Sequence, residues 1–441
     1  MLPVQLVFCL AIAALLSFAI VTSIKEKLLR ASLISIAGLL VSTAFWLSLI
    51  YFRDTGLSQL LTTASVIAIG LFAIPSLIKY FPGSSELTPT DIQQYDERDN
   101  MFSRNNLKHH PDLAKKYYDA NPDLENIDRA IAGKLELGEP GSRFYDNYLT
   151  PIASAAFAIL SRSRDLCQGQ VESKIADIDT ERFAAVLRKT AILYGAVDLG
   201  ITKLKPHHLY SNAGRHRENY GEPIVTDHTT AVTIIVPMDP AALRIAPAAG
   251  ELIETSRAYV ESAKVANIIA EYIRSFGYDA RSHTDGNYQT LCVPIAADSG
   301  LGQVGRMGLL IHPVYGSCIR ISTVTTTLGL PATSPKNYHI EDFCRICKKC
   351  ANLCPTQSIS KEWKTNTRNF DHFSIRQETC YSYWKRVGTD CGFCIRVCPY
   401  TKPNTLMHKI VRLYISRNPI NQRIALAMEN LLYGKKIKPK P

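Results

Sequence analysis

Three stretches without a charged residue open the chain, at 1–24, 31–52 and 55–78. A helix of about 20 apolar residues crosses the ~30 Å hydrocarbon core of a bilayer, so the pattern predicts three membrane spans. The first is not read as a secretory signal, because two more spans follow and no small-residue cleavage site or twin-arginine pair accompanies it. The loop after the first span carries Lys25, Lys27 and Arg30 against Glu26, whereas the second loop carries only Arg53 and Asp54. The positive-inside rule then predicts an outside amino terminus and a cytoplasmic location for everything after Lys79, in a multi-pass protein of the inner (cell) membrane. No histidine precedes His109, so the spans supply no histidine pair for a haem and read as a plain anchor.

Beyond the spans the pattern changes. Residues 82–89, rich in Pro, Gly and Ser, read as a linker. In 91–140 Tyr95, Met101, Phe102, Tyr117 and Tyr118 are scattered among charges, which predicts an extended wrap over the following domain. Helical periodicity is expected over 181–194 and 251–276, the latter ending at Gly277, and strands over 231–236, 278–282, 290–296, 309–312 and 319–326. That alternation indicates an α+β fold, with an α/β sandwich of roughly 180 residues ahead of a cysteine-rich module. The expected partition is an anchor at 1–80, linker and wrap at 81–150, a catalytic domain at 151–335, a cluster module at 336–410, and a carboxy-terminal helix with a basic tail at 411–441.

A hydrophobic content of 46% in 441 residues permits a large core. The net charge of +11 would admit nucleic acid, yet the basic residues are dispersed and no reading motif accompanies them, so no nucleic-acid partner is expected. The charge reads as solvated surface, with Lys435, Lys436, Lys438 and Lys440 as a basic tail that can meet anionic lipid.

Eight of the twelve cysteines fall between 344 and 398. They read Cys344-x2-Cys347-x2-Cys350-x3-Cys354-Pro355, then Cys380, then Cys391-x2-Cys394-x3-Cys398-Pro399. Three thiolates at this spacing wrap three corners of an iron–sulfur cube, and the cysteine before proline ligates the other cube. One [4Fe–4S] cluster is therefore assigned to Cys344, Cys347, Cys350 and Cys398, and a second to Cys354, Cys380, Cys391 and Cys394, which makes a bacterial ferredoxin-like module. Zinc fits less well, since two such runs exceed what a tetrahedral site needs. Cys9, Cys167, Cys292 and Cys318 show no ligand spacing and are expected to be buried apolar residues.

Gly300-Leu301-Gly302-Gln303-Val304-Gly305 matches a dinucleotide fingerprint, but Arg306-Met307-Gly308 leads into a short strand and Pro313 rather than a helix. What survives is a glycine-rich loop that lets backbone approach a large planar or phosphate-bearing ligand. Pro206-His207-His208 points its rings in two directions and reads as surface or core rather than as a metal site.

Together with both cysteine runs, five segments carry a resemblance: Asp96 to Arg104 (DERDNMFSR), Tyr194-Gly195-Ala196 with Gly200-Ile201, Ile273 to Tyr278 (IRSFGY), Gly300 to Arg306, and Tyr315-Gly316 with Arg320. Over about 95–404 the chain resembles the reductive dehalogenases, the cobalamin and iron–sulfur family that removes halogens from organohalides. Epoxyqueuosine reductases are similar more distantly and lack the segment around Arg98.

The resemblance implies a corrinoid held base-off in a nitroreductase-like domain, one cluster near the cobalt and the other nearer the surface. No Asp-x-His-x-x-Gly supplies a lower axial histidine. The family's catalytic tyrosine, asparagine and basic residue map onto Tyr259, Asn287 and Arg320, with Tyr272 the alternative to Tyr259. Gly300, Gly302, Gly305, Arg306, Tyr315 and Gly316 map onto the corrinoid surround. The implied reaction replaces a halogen of an aromatic organohalide by hydrogen, using cob(I)alamin fed by two clusters, with Tyr259 as proton donor. A nearby cation is expected to lower the tyrosine pKa and stabilise its phenolate. Many members carry a twin-arginine signal and use a separate anchor protein, whereas here three spans are joined in front, so export is not expected. No reductase module follows, so electrons are expected from an external quinol, ferredoxin or flavodoxin. The competing readings are a corrinoid reductase of another substrate, such as a modified nucleoside, and a ferredoxin-like electron-transfer subunit without catalysis.

Overall fold

The structure, a computed structural model, describes residues 2–81, 92–173, 178–362, 365–367 and 370–435. In chain order its main elements begin with helices α1 (Leu2–Lys25), α2 (Leu29–Tyr51) and α3 (Gly56–Leu77), followed by α4 (Met101–Asn106), α5 (Pro111–Ala120) and α6 (Pro122–Ala132). Next come α7 (Leu149–Arg162), α8 (Thr180–Leu193), β1 (Asp198–Lys203), β2 (Thr230–Pro237), α9 (Pro240–Leu243), α10 (Ala249–Arg274), β3 (Ala280–His283) and α11 (Cys292–Asp298). The chain continues through β4 (Gln303–Val304), β5 (Leu310–Ile311), β6 (Ile319–Thr326), α12 (Ile340–Cys347), α13 (Lys349–Leu353), β7 (Thr365–Thr367) and β8 (Phe370–His372). It ends with α14 (Gln377–Val387), α15 (Phe393–Arg396), α16 (Leu406–Ile415) and α17 (Pro419–Tyr433). These elements form two compact units, residues 1–86 with 402–437, and residues 87–401 with 438–441. The expected linker at 82–89 and the lysines at 436, 438 and 440 lie outside the described residues.

In the first unit α1, α2 and α3 are long and apolar enough to cross a membrane, within two residues of the expected bounds. Their outward faces are hydrophobic and exposed, for example Leu10, Leu40 and Leu71. Polar contacts knit them inside. Gln5 Nε2 donates to Leu49 O at 3.2 Å and to Thr62 Oγ1 at 2.8 Å, and Ser58 Oγ donates to Leu49 O at 2.7 Å. Such bonds between apolar helices act where hydrophobic burial offers no drive.

The second unit is built on a four-stranded antiparallel sheet of order β1-β2-β6-β3. Period-two alternation gives the sheet two apolar faces. Val232, Ile234, Val236 and Val324 join the main core with α10, while Ile235, Ile319 and Ile321 face the smaller core around Ala296 of α11. Helix α10 lies between the sheet and α7, and its Ala258, Val265, Ala266, Ile269 and Ile273 are fully buried. Truncating Ile269 to Ala would cost about 2–5 kcal/mol.

Two expectations need correction. The 91–140 segment is not an extended wrap but a set of short helices, because Pro111 and Pro122 start α5 and α6 with acidic residues in their first turns. Residues 290–296 are not a strand: Cys292–Asp298 is helical, and a short apolar run carries no periodicity to separate the two.

Candidate functional site

The cysteine loops are held in unusual backbone. Of the five described non-glycine residues with positive φ, four lie here: His339, Lys348, Gln357 and Cys391. Left-handed turns at non-glycine residues cost energy and persist where the surroundings impose them. Cys344 has Cys347 and Cys398 as charge neighbours, and Cys350 has those three and Cys394. Cys380 has Cys354, Cys391 has Cys394 and Cys380, and Cys394 has Cys380, Cys354 and, from the first set, Cys398.

All twelve cysteines are free thiols. Burial, reinforced by neighbouring thiols, pushes the pKa up at Cys344, Cys350 and Cys391, to about 12 at Cys394 and to about 11 at Cys380. Eight cysteines at such spacing, two buried and six half-buried, suit a metal centre, which would bind them as thiolates. Cys354 moves the other way: burial acts to raise it, but hydrogen bonds from Thr356 and Ser358 outweigh burial. Among the described residues no three cysteine sulfurs lie within 4.8 Å of one another, which is wider than the roughly 4 Å edges of a single tetrahedral zinc site.

A second constellation forms where α10, β6 and the loop before Cys391 converge. Arg320, on β6, donates to Thr255 Oγ1 at 2.9 Å and to Asp390 Oδ2 at 3.1 Å, and its guanidinium lies 4.9 Å from the ring centre of Tyr259. Burial pushes the Tyr259 hydroxyl up to about 12, against the opposing pull of Arg320. The expected net lowering is therefore corrected: desolvation outweighs the cation, and Tyr259 stays protonated near neutral pH. Glu251 is driven well above the carboxylate range by burial and by Asp390.

One buried polar atom here, Arg320 Nε, lacks a partner, while the carboxyl groups of Glu251 and Asp390 hydrogen-bond each other. Tyr259, Asp285, Tyr288, Cys292 and Arg320 are half-buried and keep accessible surface. An unpartnered guanidinium N–H among such residues fits a bound ligand such as a corrinoid.

The asparagine sits beside these residues. Asn287 is buried, its Oδ1 lies 3.2 Å from His216 Nε2, and it lines a cavity of about 470 Å³ with Tyr288, Arg164 and Arg281. Sequence reasoning missed Tyr288 and Asp285, neighbours of Asn287, and also Asp390, whose signal was adjacency to Cys391. It also expected Cys9 and Cys292 to be buried like Cys167 and Cys318, whereas both are half-buried, Cys292 beside Thr290 and Thr323.

The residues expected at the corrinoid surround are engaged with protein. Arg306 directs every N–H at backbone: Nε and Nη2 to Cys344 O at 3.2 and 3.0 Å, Nη1 to Ser360 O and Glu362 O at 3.0 Å, and Nη2 also to Arg345 O. It thus braces the first cysteine loop and has no donor left for a ligand. A Cβ on Gly300, Gly302 or Gly316 would meet Ser334 O, Ile311 O or Tyr400 O at 2.4 Å, and one on Gly305 would meet Ile311 Cδ1 at 2.5 Å. Tyr315 lies in the His312–Gly316 turn with its ring beside His312. His208 is satisfied, its Nε2 bonding Asp298 Oδ2 at 3.0 Å and its Nδ1 accepting from Lys205 N–H at 3.2 Å.

Residues 343–402 match the 4Fe-4S dicluster domain family. Over 195 residues the chain is 32% identical to the tetrachloroethene reductive dehalogenase of Desulfitobacterium hafniense, covering 42% of this chain and 35% of that one. The resemblance is to reductive dehalogenases. A catabolic reductive dehalogenase, NpRdhA, solved with 3-bromo-4-hydroxybenzoic acid, shares the fold at a TM-score of 0.66, covering 82% of this chain and 50% of that one at 22% identity. An epoxyqueuosine reductase of Lactococcus garvieae is a more distant relative, 30% identical over 115 residues, covering 25% of this chain and 32% of that protein. The chain thus spans about a third of the length of the reductive dehalogenase it matches and half of the solved one.

Proposed function

We propose that the protein is a membrane-anchored, cytoplasm-facing reductive dehalogenase that exchanges a halogen of an aromatic organohalide for hydrogen. The net change consumes two electrons and one proton per carbon–halogen bond and releases halide. The space between α10, β6 and α11, read as a nitroreductase-like cradle, would hold a base-off corrinoid. The two cysteine groups would hold one [4Fe–4S] cluster each. When bound, the corrinoid supplies the two electrons that break the carbon–halogen bond, with the clusters relaying them from an external quinol, ferredoxin or flavodoxin.

This chain's own residues supply the proton and exclude water. Tyr259, with a pKa of about 12, keeps its proton near neutral pH and can deliver it to the carbon. Arg320, 4.9 Å from the ring, stabilises the phenolate left behind, which is worth more in an enclosed site than in water. Asn287 and His216 form a polar wall beside Tyr288. The observation that carries the reading is the Tyr259–Arg320 pair, with the guanidinium Nε left without a partner.

The test is halide release by anaerobically reconstituted protein, with halogenated phenols set against an epoxyqueuosine-type substrate. The expected result is one cobalt per chain and halide release from the phenols. Turnover of the nucleoside alone would select the other corrinoid reductase. Failure to retain cobalt after reconstitution would leave an electron-transfer subunit.

A further inference from the structure

The carboxy-terminal helices α16 and α17 carry an apolar face that nothing in the first unit covers. Leu406, Ile410 and Leu413 on α16 are 61%, 50% and 57% exposed, and Ile420, Met428 and Leu431 on α17 are exposed as well. Their spacing gives one stripe along each helix. At ten and fifteen residues, neither helix reaches across a bilayer.

Both helices are fastened to one end of the three-helix bundle. His408 Nε2 meets Glu26 Oε1 at 2.9 Å just past the end of α1, and Arg30 Nε at the start of α2 donates to Leu431 O at 2.9 Å. At the end of α3, Asn418 Nδ2 donates to Pro75 O and Ile78 O, and Asn421 Nδ2 to Ser76 O. The exposed stripes thus lie at the end of the bundle where α1 and α3 finish and α2 begins. Residues 402–435 also carry six lysines and arginines against the single acid Glu429. Between α2 and α17, Arg30 and Lys435 flank an apolar cleft of about 720 Å³ lined by Ala427 and Leu431.

We propose that α16 and α17 form an interfacial collar at the loop-bearing end of the anchor, their stripes in the acyl boundary and the Arg30–Lys435 cleft holding an anionic lipid headgroup. Short amphipathic helices with a basic complement bind bilayers by buried apolar area and by attraction to anionic lipid. The inference rests on the reading of α1–α3 as membrane spans.

The test reconstitutes the full-length protein in vesicles carrying a lipid-confined diazirine and maps the labelled residues by mass spectrometry. Label on α1–α3, together with label on Leu406, Ile410, Leu413 and Ile420 at about half the span level or more, is the expected result. Label on the spans with about a tenth or less on α16 and α17 overturns the collar, whether water, a second copy or another protein meets that face. No label on the spans overturns the anchor reading and the collar with it. For the headgroup, spin-labelled phosphatidylglycerol should associate about twofold more strongly than phosphatidylcholine, with the preference lost in a Lys435→Gln, Arg30→Gln variant. Equal association in the parent protein, or an undiminished preference in the variant, overturns the cleft assignment.

Discussion

Two buried arginines in the second unit have nearly the same company and opposite states. Arg104 pairs with Asp128 and Glu378, and Arg320 with Asp390 beside Glu251. Arg104 is fully served: Nε and Nη2 reach both oxygens of Asp128 at 2.9 and 2.6 Å, and Nη1 reaches Glu378 at 2.7 Å. Around Arg320, by contrast, Glu251 and Asp390 bond each other, and Arg320 Nε is left without a partner. A buried ionic group that is completely satisfied behaves as a clamp, whereas one left partly open is held ready for something else. Arg104 fastens α4 to α14, the helix carrying Cys380, with Gln377 bonding Asp99 O and Phe102 packing on Tyr381 and Trp384. Arg320 faces Tyr259.

The comparison breaks most visibly at the clamp. Arg104→Met leaves Asp128 buried without a counter-charge and should destabilise the second unit by about 3–5 kcal/mol, read as a lower melting temperature with loss of bound iron. An unchanged melting temperature would remove the clamp. Cys380→Ser should next leave about half the iron, as one cluster's worth, with electron paramagnetic resonance reporting the other cluster intact. Loss of both clusters would show that the two groups are not separate sites. Arg320→Gln should lower turnover about 100-fold, the cost typical of a lost oxyanion-type stabiliser, while stability falls less than in Arg104→Met. The Glu251–Asp390 pair can retain a proton to offset the missing charge. If stability falls as far as in the clamp variant, Arg320 is structural.

The smallest effect concerns pH. Burial acts to raise the Asp298 pKa, but hydrogen bonds from His208 and Lys205 outweigh it and take it down to about 2. A carboxylate depressed on folding contributes stability above its unfolded pKa of about 3.9 and loses it as pH falls toward the folded value. Asp298→Asn should therefore cost about 1 kcal/mol, equally at pH 8 and pH 5, in thermal melts of detergent-solubilised protein. A penalty that shrinks between those two values would contradict the assignment.

Much of this was legible in the sequence where the signal is local. The spans follow from uncharged length, β2, β6 and α10 from periodicity, and the iron–sulfur domain over 343–402 from cysteine spacing. Local reading failed where tertiary contact decides. The segment before 140 looked irregular because its short helices earn their stability from packing on α14, and 290–296 looked like a strand because a short apolar run suits either state. At the site, Tyr259, Asn287 and Arg320 were reachable only through family resemblance. Nothing local marks Glu251, and only adjacency to Cys391 marks Asp390; they meet Arg320 from 69 and 70 residues away in sequence. Arg306 was mapped to the corrinoid surround through the family resemblance, and its donors close on backbone carbonyls that include Cys344 O of a cysteine loop.

The central claim is that the open arginine marks the place of chemistry, and Tyr259→Phe tests it most directly. The substitution removes one hydroxyl and keeps the ring 4.9 Å from Arg320. In anaerobically reconstituted protein, halide release should fall by about 100-fold or more, as for the loss of a general acid, with cobalt and iron content unchanged. Halide release at the parent rate with full cofactor content would contradict the account.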